Sequence, residues 1–327
     1  MSFTRREALQ QMTVLAAGGV LAVPRLRAEE DDVSREPMID THQHLWDLSR
    51  FKLPWLDGAP EILRQSYRTA EYRQATEGLN VRAIYMEVDM DPAQHPAELE
   101  HVVGLCRSEE HPTAAAVVGG RPASPSFAEY IKRLKQHPEV KGVRQVLHGA
   151  ETPAGYCLEP EFARGVQLLG EHGLSFDLCM RPAELQDGVR LTGQCPNTRF
   201  ILDHCGNADV KWFARGAGED ARRRIADWRR GIDAFAARPR VICKISGIVA
   251  SAPPGWKSDD LAPAVNHCLD AFGPDRVVFG SDWPVCLLGA PLLAWVDALT
   301  EIIAARPAAD RAKLWRENAV AWYGMKR

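Results

Sequence analysis

No Cys-x-x-Cys occurs in the 327 residues, and the eight cysteines follow no regular spacing. Neither a zinc ribbon nor a disulfide framework is encoded. No Gly-x-Gly-x-x-Gly or phosphate loop follows the first strand-like run, which argues against a nucleotide-binding open sheet. Surplus charge is absent too. Lys and Arg number 40 against 43 Asp and Glu, a formal net charge of −3, and that balance leaves no electrostatic footprint for nucleic acid or an anionic membrane. The apolar stretch at 12–23 is too short and too rich in glycine for a comfortable transmembrane helix. Internal repeats and low-complexity tracts are also missing. What remains is 46% hydrophobic and 25% charged, the balance of an ordinary globular chain whose default partner is a small molecule. Oligomeric state has no signature here.

The N-terminus reads as a targeting segment, apart from the fold. Thr4-Arg5-Arg6-Glu7-Ala8-Leu9 resembles a twin-arginine export motif, the apolar stretch follows it, and Arg25 and Arg27 lie beyond. Residues 1–28 are expected to be a signal, 29–36 a short linker, and 37–327 the folded unit, delivered to the periplasm. A basic tail on a cytoplasmic protein is the alternative. Cys157, Cys179, Cys205, Cys243 and Cys286 fall in or beside apolar runs, where a free thiol behaves as a small hydrophobe. Unpaired thiols agree with export of a chain already folded in a reducing compartment.

After residue 36 the pattern changes. Apolar runs at 38–42, 83–88, 114–118, 142–147, 174–180, 199–204, 241–245 and 276–280 are strand-length. Most are rich in Val, Ile, Leu or Phe, as strands buried on both faces should be. Between them, segments such as 98–109, 126–137, 161–172 and 221–237 carry apolar residues at helical spacing. Eight strands alternating with helices predict an α/β fold, a single-domain (β/α)8 TIM barrel. An open doubly wound sheet is the alternative. Long loops at 46–67, 206–219 and 247–260 follow strands, so they belong to the C-terminal barrel face, where barrel active sites form. Trp46, Trp55, Trp212 and Trp256 on these loops either wall a pocket or cover ordinary apolar surface.

Three strand ends carry chemistry. In Ile39-Asp40-Thr41-His42-Gln43-His44, residues two apart on a strand point the same way, so His42 and His44 project together. Two converging imidazoles are half of a zinc-type site, although two strand histidines can also be satisfied by hydrogen bonds alone. Phe200-Ile201-Leu202-Asp203-His204-Cys205-Gly206 ends an apolar strand in an Asp-His pair, and Val277-Val278-Phe279-Gly280-Ser281-Asp282-Trp283-Pro284 ends another in a carboxylate. His204 or Asp282 alone could merely cap a turn. Three strand ends of matching chemistry point to one shared site.

These motifs, with Gly142-Val143-Arg144 on the fourth strand and Lys244-Ile245-Ser246-Gly247 on the seventh, resemble the amidohydrolase superfamily. Within it they resemble the amidohydrolase-related branch of metal-dependent barrel hydrolases, over roughly 37–323. The resemblance implies that His42, His44, His204 and Asp282 hold one divalent metal, zinc foremost, or act without any. It implies Asp282 as the general base, with His204 beside it. The lysine that bridges two metals elsewhere in the superfamily is not evident; the fifth strand offers Asp177, Cys179 and Arg181, which argues against a binuclear centre. The branch contains sugar lactonases, so hydrolysis of a sugar-acid lactone by Asp-activated water is the expected activity. Non-oxidative decarboxylation of an aromatic acid is the second expectation, and a non-catalytic carbohydrate-binding barrel the third. Arg144, Lys244, Arg181, Trp46 and Trp283 are expected to contact the substrate, Glu87 and Gln43 more weakly.

Overall fold

The computed structural model describes residues 36–325; the expected export segment lies outside the described residues. Eight strands pair in parallel in chain order: β1 Met38–Gln43, β2 Val81–Met86, β3 Thr113–Gly119, β4 Val140–Val146, β5 Ser175–Cys179, β6 Arg199–Leu202, β7 Val241–Ile245 and β8 Val277–Phe279. The expected barrel is the observed one. Parallel neighbours need crossover connections, and helices supply them on the outside. The ring closes between β8 and β1 through a parallel bridge from Gln43 to Trp283. Here Asp282 N–H donates to His42 O at 3.0 Å and His44 N–H to Trp283 O at 2.8 Å. The backbone of the motif residues therefore completes the barrel.

Inside, two layers differ in chemistry. Ile39, Ile84, Met86, Ala115, Val117, Ile201, Ile242 and Val278 form an apolar floor, onto which Ala319 and Tyr323 of the C-terminal helix Asn318–Tyr323 pack. That helix is pinned by Asn318 Nδ2, which donates to Pro274 O and Val277 O at 2.7 Å each. Above the floor the inward residues turn ionic: Glu87, Arg144, Asp177, Asp203 and Lys244 are all buried. Buried charge is tolerated only when paired, and here the pairs are mutual.

The outer helices show how the sequence positions this core. Helix Glu219–Ala236 carries Glu219 and Asp220 in its first turn, where the helix dipole favours acids. Its buried Trp228, Ile232 and Phe235 repeat at helical spacing. Trp228 Nε1 donates to Cys205 O at 2.8 Å, which braces the turn behind His204. Helix His95–Arg107 docks through a buried acid. Glu98 accepts from Tyr85 Oη on β2 and from Gly119 N on β3, both at 2.9 Å.

Burial, with the nearby Glu87 charge second, pushes the Glu98 pKa up to about 8. Its folded pKa exceeds its ordinary value of 4.5, so its contribution to stability is full below about 4.5 and is lost as pH rises from there through about 8. We expect the thermal midpoint to fall across that interval and Glu98→Gln to flatten the fall. An identical pH slope in the variant would exclude Glu98 as its source.

Candidate active site

A cavity of about 610 Å³ opens at the C-terminal end of the strands, with His44, Arg144, Cys179, His204 and Asp282 among its lining residues. Asp282 is its focus. Asp282 Oδ1 lies 3.3 Å from His44 Nε2, 3.7 Å from His42 Nε2 and 4.0 Å from His204 Nε2. Three imidazoles, from β1, the residue that follows it and the turn after β6, thus converge on one carboxylate oxygen after β8. The four residues read from the sequence as one site do come together.

Local backbone explains the convergence. Asp282 and His204 adopt left-handed φ of 57° and 56°, a region few non-glycine residues visit and one that clusters at functional sites. Such a kink at the strand end turns each side chain into the mouth. Two glycines make the room. A Cβ on Gly280 would lie 2.8 Å from His42 Cβ, and one on Gly247 would lie 2.3 Å from His204 Nδ1. Gly247 also sits at φ 72°. We expect Gly247→Ala to displace the His204 ring and to lower turnover roughly 10²-fold, the scale of an ångström-sized misplacement. Steady-state kinetics beside a thermal unfolding curve would check this; unaltered turnover would remove His204 from the machinery.

Each imidazole is oriented from behind. Met86 O can only accept, so His44 Nδ1 donates to it at 3.0 Å and leaves the Nε2 lone pair facing the cavity. His204 Nδ1 pairs with Ser246 Oγ at 3.0 Å, which likewise leaves Nε2 forward. His42 is fully buried. Burial, then the charge of Lys244, drives its pKa well below the ordinary value, and burial also lowers that of His204 despite the opposing pull of Asp282. Neutral imidazoles are metal ligands.

The donor chemistry tests whether a metal fits. One ligand atom each from His42, His204 and Asp282 lies within 4.8 Å of the others, and two imidazoles with a carboxylate suit zinc and similar divalent ions. His44 Nε2 and Asp282 Oδ1 add a second argument. Two acceptors 3.3 Å apart call for a shared positive charge between them, a proton or a metal. The residues fit the ion. Cys179, Asp203 and His204 form a second close group, but the oxygens of Asp203 already face Lys244 at 3.0 Å and Arg144 at 3.3 Å. Burial also pushes the Cys179 thiol up to about 12. That set gives no support to a second metal.

Several residues expected to touch substrate do something else. Lys244 is fully buried under the site, with Nζ 2.6 Å from Asp177 Oδ2 and 3.0 Å from Asp203 Oδ1. It is too deep to reach a ligand. The Arg181 guanidinium donates to Gly149 O, Thr152 O and Glu184 Oε1 at 2.8–3.0 Å, so it anchors the loop whose Gly149, Ala150 and Glu151 line the cavity. Trp283 is buried edge-on against Tyr67 and Tyr72 and is not part of the cavity wall. Trp46 and Trp55 do line the cavity; Trp212 and Trp256 do not. Gln43 Oε1 accepts from Thr113 Oγ1 at 2.8 Å, and Glu87 Oε1 from Arg144 Nε at 2.7 Å, so both are structural supports.

Other functional side chains carried little sequence signal. Asp203 and Ser246 stand inside quoted motifs, yet only the fold shows them bracing His42 and His204. His148, just beyond β4, opens onto the cavity. Desolvation by the surrounding cavity wall, with His204 and Arg144 adding to it, lowers its pKa below the ordinary histidine value and favours the neutral imidazole, although the residue as a whole is exposed at the mouth. In an eight-stranded ring, the β4 and β8 ends face each other across the mouth.

A (β/α)8 barrel with His-x-His at the end of β1, a histidine after β6 and an aspartate after β8 is built as a barrel hydrolase. The chain belongs to the amidohydrolase family, whose model matches residues 39–325. Among its relatives, an L-fucono-1,5-lactonase of Burkholderia multivorans is 28% identical, over 88% of this chain and 96% of that protein. An L-rhamnono-gamma-lactonase of Scheffersomyces stipitis is 24% identical, over 79% of this chain and 88% of its own. A solved amidohydrolase of Burkholderia multivorans with bound zinc matches with a TM-score of 0.76 at 27% identity, covering 89% of this chain and 100% of that one.

Proposed function

We propose that this chain hydrolyses an uncharged sugar-acid lactone, with Asp282 as the base that activates water. The observation that carries this reading is Asp282 at the focus of three imidazoles on the floor of the cavity. The relatives named as lactonases support the reaction class. The cavity supports an uncharged substrate. Arg144 is the single Arg or Lys among its described lining residues, and all three of its guanidinium nitrogens are already engaged. An aromatic carboxylate awaiting decarboxylation would need, besides a metal, an arginine free to receive it.

In this mechanism the lactone carbonyl lies over Asp282, between His44 and His204. Asp282 takes a proton from water as the water oxygen bonds to the carbonyl carbon. Positive charge at Arg144, which lines the cavity, faces the oxyanion that forms. The ring C–O bond then breaks, and Asp282 returns its proton to the departing alkoxide, giving the open hydroxy acid. A divalent ion held by His42, His204 and Asp282 would polarise the carbonyl and ease ionisation of bound water. Trp46 and Trp55 offer apolar wall to the sugar ring, and His148 offers one donor and one acceptor to its hydroxyls.

The reading is tested by acid release from a panel of aldono-1,4- and 1,5-lactones, with chelator and with added zinc, against Asp282→Asn protein as the blank. Turnover above the blank is expected. A flat panel together with carbon dioxide release from aromatic acids would replace the reading with decarboxylation. For polyhydroxylated lactones we expect His148→Ala to raise KM about tenfold, the worth of one hydrogen bond, with kcat nearly unchanged. A fall in kcat with KM held would instead give His148 a part in the chemical step.

A further inference from the structure

A neutral imidazole has one lone pair, and that of His42 is already in use. Arg144 Nη1 lies 3.0 Å from His42 Nε2. A guanidinium has donors only, so Nε2 accepts and Nδ1 carries the ring proton, 3.6 Å from Asp203 Oδ1. Lys244 Nζ stands 3.2 Å from Nδ1, but the same tautomer cannot accept from both cations. The Arg144 contact is the shorter of the two, and Lys244 has its closest partner in Asp177 Oδ2 at 2.6 Å. Nε2 is also the His42 nitrogen that faces Asp282, at 3.7 Å, in the group close enough to hold a divalent ion. An ion about 2.0–2.1 Å from that nitrogen needs the lone pair that Arg144 occupies, and it brings more positive charge against a guanidinium.

We propose that Arg144 and a divalent cation are alternative occupants of His42 Nε2, so that loading the ion breaks the Arg144–His42 hydrogen bond and Arg144 sets how tightly the site holds metal. The geometry allows the exchange at low cost to the rest of the network. Arg144 keeps Glu87 Oε1 on Nε and Glu87 O on Nη2, both at 2.7 Å, while only Nη1 serves His42. On release, Nη1 retains Asp203 Oδ2, 3.3 Å away. The ring tautomer need not change, because the Nδ1 side already borders a carboxylate, with Asp203 Oδ1 3.6 Å away, close to the carboxylate–histidine arrangement that orients a ligand for metal.

The test uses the full chain with zinc alone, titrated by calorimetry against a competing chelator, in parent, Arg144→Lys and Arg144→Met proteins. Lysine keeps the charge without the fork that reaches His42. Both variants are expected to bind zinc roughly tenfold to a hundredfold tighter, the equivalent of one charge-assisted hydrogen bond. Tightening in Arg144→Met alone would reduce the effect to charge repulsion and overturn the competition, as would unchanged or weaker binding in both. Removing a buried arginine can unfold the chain, so a crystal structure of the parent with zinc provides a second measurement. It is expected to show Nη1 beyond hydrogen-bond distance of Nε2. Zinc on Nε2 with Nη1 still hydrogen-bonded there, or zinc held without His42, would overturn the proposal.

Discussion

Asp282→Asn protein should fold like the parent and turn over its lactone roughly 10²–10⁴-fold more slowly, the usual worth of a general acid–base group. The substitution removes the proton acceptor and little else. Asparagine has the same shape and tolerates the left-handed region in which Asp282 sits, at φ 57°. The backbone bonds that anchor the position, Asp282 N–H to His42 O and Cys286 N–H to Asp282 O, do not involve the side chain. What changes is the focus of the three imidazoles, where an amide cannot take a proton from water and cannot return one to the alkoxide. Lactones open without catalysis, so the comparison must be of initial rates in a pH-stat with the uncatalysed rate subtracted. Near-parent turnover by folded Asp282→Asn would sink Asp282 as the base and leave the lactonase reading without its central residue.

The strands of this fold are legible because each is buried on both faces and stands out as a short apolar run. The four site residues are legible for the complementary reason, as polar side chains that abruptly end such runs. What the runs do not encode is depth and direction. Lys244 and Ser246 share a face, as alternation predicts, yet two residues along a strand are about 6–7 Å. Ser246 therefore supports His204 at the mouth while Lys244 lies in the ionic layer below. Trp283 follows a residue whose φ is 57°, and that reversal carries its ring outward against Tyr67 and Tyr72. Arg181 lies two residues beyond the end of β5, where Pro182 starts a new turn, and strand alternation no longer governs it. The competition at His42 is illegible for a different reason, since it depends on Arg144 reaching across from a strand more than a hundred residues away.

That ionic layer makes Lys244→Met the substitution with the largest expected cost to stability. Lys244 is fully buried and faces Asp177 Oδ2 at 2.6 Å and Asp203 Oδ1 at 3.0 Å. Methionine fills similar volume, so the loss is electrostatic: two carboxylates keep their burial and lose a shared cation. Breaking a buried pair from one side costs about 3–5 kcal/mol, which is a large share of the ~5–15 kcal/mol that holds a domain folded. Asp203 retains Arg144 at 3.3 Å, whereas among the described residues Asp177 makes its ion pair with Lys244, so the uncompensated charge is mainly Asp177. Lys244→Met combined with Asp177→Asn should therefore recover most of the loss, and the two changes should be far from additive. Denaturant midpoints for the two single variants and the double variant measure this directly. A loss below about 1 kcal/mol for Lys244→Met, the range of a surface ion pair, would mean that the layer does not act as a network. The layer would then also lose its part in function, because Lys244 and Asp203 both border His42 Nδ1, at 3.2 and 3.6 Å, and set the charge around that ring.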